Sequence, residues 1–102
     1  MQIIQNYLNG RFQNAIDNKT LPVANPARGE QYATAPASNQ KDVALAVAAA
    51  NTAFPKWSKV SITERSRILV RIADLIEAQA DDLALAESVD NGKPLWLAKQ
   101  VD

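Results

Sequence analysis

The stretch Glu87-Ser88-Val89-Asp90-Asn91-Gly92-Lys93-Pro94 reads as the end of one helix and the start of another. Asn91-Gly92 stops a helix opened by Asp81-Asp82 and carried through Ala84 and Leu85, since glycine takes the left-handed conformation that terminates helices at no steric cost. Pro94 lacks an N–H and has φ preset near the helical value, so it suits the first turn of the next helix, with Leu95, Trp96 and Leu97. Moving back along the chain, Ser61-Ile62-Thr63-Glu64 has the form of a capping box. Behind it Ile68, Leu69, Ile72, Leu75 and Ile76 make one apolar stripe, with Arg67, Arg71 and Asp74 away from it. Further back, Val43, Ala46, Val47, Ala50 and Phe54 repeat at helical spacing, with Ser38 or Asn39 as N-cap and Pro55 ending the helix or following its last turn.

Before Ser38 the period changes. Tyr7-Leu8 and Arg11-Phe12 flank Asn9-Gly10, a pair that favours the positive φ angles of a tight hairpin turn. Leu21-Pro22-Val23-Ala24 and Gln31-Tyr32-Ala33-Thr34-Ala35 flank a second turn, Asn25-Pro26-Ala27-Arg28-Gly29-Glu30. There Pro26 fits the second turn position and Gly29 the left-handed one. Two short hairpins cannot stand alone in water. The fold class expected is therefore α+β: a hairpin region over 1–37, then three to four helices over 38–102.

At 102 residues the chain is one domain at most, with a modest core. Its 47% hydrophobic and 22% charged residues read as globular. Eleven basic and eleven acidic residues cancel, so no overall field draws it to nucleic acid or an anionic membrane. The N-terminus has no basic start and no long apolar run, and the longest apolar run, Val43 to Ala50, is far below the roughly 20 residues that span a bilayer. The absence of cysteine fits a reducing compartment. A soluble, cytoplasmic protein is expected.

Chemistry is scarce. With neither histidine nor cysteine, Ser-His-Asp and Cys-His catalysis and nearly all zinc sites are excluded within the chain. Gly10, Gly29 and Gly92 are too far apart to form a phosphate-cradling loop. Asp81-Asp82 could be offered as an acid/base couple, but neighbours on a helix diverge, and acids early in a helix simply favour its dipole. Lys56, Trp57, Lys59, Arg65, Arg67 and Arg71 could be offered as a nucleic-acid face. The blander reading has Trp57 filling the gap between two helices with the charges in solvent. The alanine-rich run from Ala44 to Ala53 reads as close packing of a helix on its own domain, not as a membrane face.

The linear order of these pieces is more specific than any one of them. The Tyr7-Leu8-Asn9-Gly10 hairpin, the Asn25–Glu30 turn, and Asp42-Val43 leading an alanine-rich helix to Phe54 and Trp57 come first. Glu64-Arg65-Ser66-Arg67-Ile68-Leu69, Ile72-Ala73-Asp74-Leu75-Ile76-Glu77 and Glu87–Pro94 follow. In this order they resemble the N-terminal part of the NAD(P)-dependent aldehyde dehydrogenase superfamily, over essentially all 102 residues. Ser88 through Asp102 is most similar to members acting on muconic semialdehydes. Arg28 departs from the threonine that the family often has at that turn.

The resemblance implies membership of the Rossmann-like α/β cofactor-binding domain, 1–102 being an incomplete part of it. It implies a parent enzyme that oxidises an aldehyde to a carboxylic acid with NAD or NADP, and a dimeric or tetrameric homo-oligomer. The family's catalytic cysteine, glutamate base, oxyanion-hole asparagine and cofactor loop have no matching positions here, so no catalytic or cofactor-binding residue is assigned. One ligand position does carry over. A structural potassium or sodium ion is implied at the carbonyl of Ala24, with Val23, and at Asp90; carbonyl oxygens with little added charge suit large monovalent cations. Otherwise Asp90 only caps a helix. A self-contained helical interaction module remains the rival reading.

Overall fold

The computed structural model describes Met1–Val101; Asp102, the last residue of the helical region and of the semialdehyde-like C-terminal stretch, lies outside the described residues. The described chain is α+β, with five strands followed by four helices. It forms two compact units.

The first unit comprises Met1–Ala24 and Gln31–Lys59. Its hairpin pairs β2 (Asn6–Leu8) with β3 (Arg11–Gln13), antiparallel, with Tyr7 opposite Phe12. Asn9 at φ 51° and Gly10 at φ 76° make the turn, both in the left-handed region that a two-residue hairpin turn requires. The Tyr7 and Phe12 rings lie 4.9 Å apart between centroids at 59°, a tilted cross-strand pair. A second sheet has the order β1-β5-β4, from β1 (Gln2–Ile3), β4 (Thr20–Asn25) and β5 (Glu30–Pro36). Hydrogen-bonded neighbours joined by so short a turn, β4 and β5, form the second hairpin. β1 is an addition to the sequence reading. It runs parallel to β5, Gln2 opposite Ala33 and Ile3 opposite Thr34, and supplies the third strand that a bare ribbon needs.

Helix α1 (Gln40–Trp57) closes this unit. Asn39 is its N-cap. The Asn39 side chain accepts from the first-turn amides, and Asp42 Oδ2 accepts from Asn39 N at 2.9 Å, a complete capping box. Asp42 is 6% exposed, and its Oδ1 also accepts from Ile16 N at 2.8 Å. One carboxylate therefore ties the helix start to the loop after the hairpin. Pro55 neither ends the helix nor follows it: α1 continues through Trp57. So close to the C-terminus, proline removes one interior hydrogen bond while Ser58 N still reaches Phe54 O at 2.8 Å.

The second unit comprises Asn25–Glu30 and the chain from Val60 onward. Here α2 (Ile62–Ala78), α3 (Ala80–Asn91) and α4 (Leu95–Val101) pack in succession. Ser61 caps α2 through Glu64 N, at 3.2 Å, but only half of the expected capping box forms. The Glu64 carboxylate instead faces Arg67, one turn on, at 3.4 Å. Gln79 alone separates α2 from α3.

Among the described residues the buried apolar ones are all alanines: Ala15 and Ala33 in the first unit, Ala84 and Ala98 in the second. The helical stripes form where periodicity places them but stay uncovered. Val43, Val47 and Phe54 are exposed, and so are Ile68, Leu69, Ile72, Leu75 and Ile76. Trp57 is 44% exposed, so it is not the buried plug that the sequence reading favoured. No helix among the described residues is long and apolar enough to cross a membrane.

Candidate functional site

The two segments that the sequence singles out, Asn25–Glu30 and Glu87–Pro94, meet in the second unit. In the turn, Asn25 does three things. Its carbonyl accepts from Arg28 N at 3.2 Å and from Gly29 N at 2.8 Å, and its Oδ1 accepts from Ala27 N at 3.0 Å. Pro26 thus occupies the second turn position, and Gly29, at φ 69°, returns the chain.

At the end of α3, Gly92 sits at φ 79°, and its N–H donates to Ser88 O at 3.0 Å. A Cβ on Gly92 would stand 3.1 Å from Cγ of Pro26. The position needs glycine twice over, for its backbone angle and for the proline packed against it.

Around Gly92 the motif residues bond to one another. Asn91 Nδ2 donates to Glu87 Oε1 at 2.6 Å, Lys93 N donates to Asn91 Oδ1 at 2.8 Å, and Ser88 Oγ donates to Lys93 O at 2.7 Å. Lys93 Nζ lies 3.7 Å from the same Glu87 oxygen. Pro94 O then accepts from Leu97 N and Ala98 N, so Pro94 stands one position before α4, at its cap. Chemically this arrangement holds a helix reversal. The Ser88 hydroxyl is spent on a carbonyl, and the chain has no histidine to activate it.

A groove of about 380 Å³ opens beside this joint, lined by Ile76, Ala80, Leu83, Ala84 and Ala98, with Asp81, Glu87 and Lys99 at its polar edge. Lys99 Nζ contacts Asp81 Oδ1 at 2.9 Å across exposed surface. The Asp81-Asp82 pair is thus a first-turn feature of α3, one member being an ion-pair partner, and not an acid/base couple.

The implied cation ligands divide between the units. Val23, half-buried, and Ala24, exposed, lie on β4 in the first; Asp90, exposed near the end of α3, lies in the second. No group of three or more acidic or histidine side chains that could hold a metal exists among the described residues.

Each of α1, α2 and α3 carries acid in its first turn, Asp42, Glu64 and Asp81 with Asp82, where an anion would otherwise be drawn. Of the basic residues offered as a nucleic-acid face, Lys56 and Lys59 belong to the first unit, and Arg65, Arg67 and Arg71 to the second.

Two contributors escaped the sequence reading. Asp42 reads from sequence only as the head of a helix, although Asn39-x-x-Asp42 carries the spacing of a capping box. The Glu87–Asn91 bond was signalled by its i, i+4 spacing.

Comparison with known proteins accounts for the order of these elements. The model of the aldehyde dehydrogenase family matches residues 12–102. The chain is 44% identical over 97 residues to human 2-aminomuconic semialdehyde dehydrogenase, covering 89% of this chain and 20% of that protein. To malonate-semialdehyde dehydrogenase 3 of Bacillus cereus it is 42% identical over 92 residues, covering 90% and 19%. Its fold superposes on a crystal structure of PnpE in complex with nicotinamide adenine dinucleotide with a TM-score of 0.94 at 40% identity, covering 99% of this chain and 20% of that one. The chain spans about a fifth of the length of the relatives it matches.

Proposed function

The chain belongs to the aldehyde dehydrogenase family, and on that premise we propose that it serves as the N-terminal part of an NAD(P)-dependent enzyme oxidising a semialdehyde to a carboxylic acid. The observation that carries this is the match of residues 12–102 to the family, reinforced by relatives named for semialdehyde substrates. The segment's role is structural support within a Rossmann-like cofactor-binding domain. Its uncovered stripes on α1 and α2 supply packing surface, and the Pro26–Gly92 joint fixes the β4–β5 turn against the α3–α4 reversal.

The oxidation itself belongs to the longer enzyme. There a bound nicotinamide would supply the hydride acceptor, and the thiol nucleophile would come from outside this chain. This chain supplies none of those groups. The enzyme is proposed to be a cytoplasmic homo-oligomer, dimer or tetramer, acting on a small aldehyde without nucleic acid or membrane. A potassium or sodium ion held by the carbonyls of Ala24 and Val23 and by Asp90 is part of the same proposal.

The test is substrate profiling of the enzyme that contains this chain. A panel of semialdehydes and simple aldehydes is offered with NAD or NADP, and the acid product is identified by mass spectrometry. One acid formed per nicotinamide reduced, with semialdehydes preferred, supports the proposal; no acid from any semialdehyde overturns it.

A further inference from the structure

Two Asn-Gly dipeptides occur in the chain, Asn9-Gly10 and Asn91-Gly92, and their surroundings differ sharply. Asparagine followed by glycine is the pair most open to spontaneous deamidation, because no Cβ shields the glycine nitrogen. That nitrogen attacks the asparagine Cγ. The side-chain amide nitrogen leaves as ammonia, carrying the proton of the glycine N–H, and a five-membered succinimide remains. Water then opens either carbonyl of the ring, giving aspartate or isoaspartate. The balance is one ammonia lost and one water gained.

We propose that Asn9 is a deamidation site and that the Glu87–Asn91–Lys93 network protects Asn91 from the same reaction. Asn9 is exposed at the tip of a ribbon of two three-residue strands, and no side-chain hydrogen bond holds it among the described residues. The turn closes through Leu8 and Arg11, which leaves the Gly10 N–H outside the pairing. A two-stranded ribbon this short opens locally at little cost, and opening lets the side chain reach its attacker.

Asn91 is also exposed, so exposure does not separate the two. Its side chain is held at both ends, by Glu87 Oε1 at 2.6 Å and Lys93 N at 2.8 Å, and the would-be nucleophile Gly92 N donates to Ser88 O at 3.0 Å. All three bonds must break before the ring can close. At Asn9 the consequence would be local: isoaspartate adds a backbone carbon to a turn that accommodates two residues, loosening the Tyr7–Phe12 pair.

The experiment incubates the enzyme that contains this chain at mildly alkaline pH, in native buffer and in urea, and follows both dipeptides by peptide mapping. In urea the two asparagines should convert at similar rates. In native buffer Asn9 should stay near its unfolded rate while Asn91 slows by at least roughly tenfold, the low end of what three net-favourable hydrogen bonds would impose. Glu87→Ala, which removes the Asn91 Nδ2 acceptor, should speed Asn91 several-fold and leave Asn9 unchanged. Native conversion of Asn91 as fast as Asn9, or equal protection of both, overturns the proposal, and this wild-type ratio decides the matter even if Glu87→Ala unfolds.

Discussion

Gly92→Ala puts the joint between the two motif segments to a quantitative test. Two costs add at this position. The backbone stands at φ 79°, where an L side chain is disfavoured by about 1–2 kcal/mol. The new methyl would also lie 3.1 Å from Cγ of Pro26, an overpacking that costs about 1–3 kcal/mol where the neighbour cannot withdraw. The sum is about 2–5 kcal/mol. Gly29→Ala isolates the first cost, because φ is 69° there and nothing lies within 4 Å of the added Cβ. It should lose only about 1–2 kcal/mol. Pro26→Ala removes Cγ, so in combination with Gly92→Ala it should recover at least about 1 kcal/mol of the excess, read as the coupling in a double-mutant cycle. The assay is urea unfolding followed by far-ultraviolet circular dichroism, with amide hydrogen exchange at the end of α3 as the local readout. Equal losses at Gly92 and Gly29, or no coupling between Gly92 and Pro26, would refute the claim that these segments pack as one joint.

Other perturbations probe the rest of the account. Asp42→Ala strips the acceptor from both Ile16 N and Asn39 N at a buried site and should cost about 3 kcal/mol, measured as a lowered urea midpoint; Asp42→Asn, which keeps one oxygen acceptor, should lose less. Ile72→Glu on the uncovered face of α2 should reduce self-association of the isolated chain in sedimentation velocity while leaving its helicity intact, since Ile72 is 47% exposed. In the longer enzyme, Asp90→Asn should abolish any difference in melting temperature between potassium chloride and an equal ionic strength of a bulky organic chloride. An ion at a hundred times its dissociation constant stabilises by about 2.7 kcal/mol, so identical wild-type melting in the two salts would show that no such ion is held.

Much of the fold was legible because short-range physics decides it. Asn9-Gly10, Pro26 with Gly29, and Asn91-Gly92 each adopt the backbone that their sequence requires, with positive φ at Asn9, Gly10, Gly29 and Gly92. The missed elements depend on distant partners. Nothing in Gln2-Ile3 announces a strand, because its pairing partner, Ala33-Thr34, lies some thirty residues on and runs parallel. Glu64 has the residue type and spacing of a capping-box acid, yet Arg67 competes for its carboxylate, and local pattern alone does not rank the two. Asn18, at φ 57°, turns the loop after the hairpin and gave no warning beyond its tolerance for that conformation. Of the site, the sequence singled out both segments. Their meeting at Pro26 and Gly92 is tertiary and was not legible in either.

The central proposal is that this chain supports aldehyde oxidation in a longer enzyme without performing it, and the most direct measurement is nicotinamide reduction by two samples side by side. One is the purified 102-residue chain; the other is the enzyme that contains it, each offered the same semialdehyde with NAD and with NADP. The account predicts no reduction by the chain, which lacks the thiol nucleophile, and sustained reduction by the enzyme. Sustained reduction by the chain alone, or none by the enzyme with either cofactor, would contradict it.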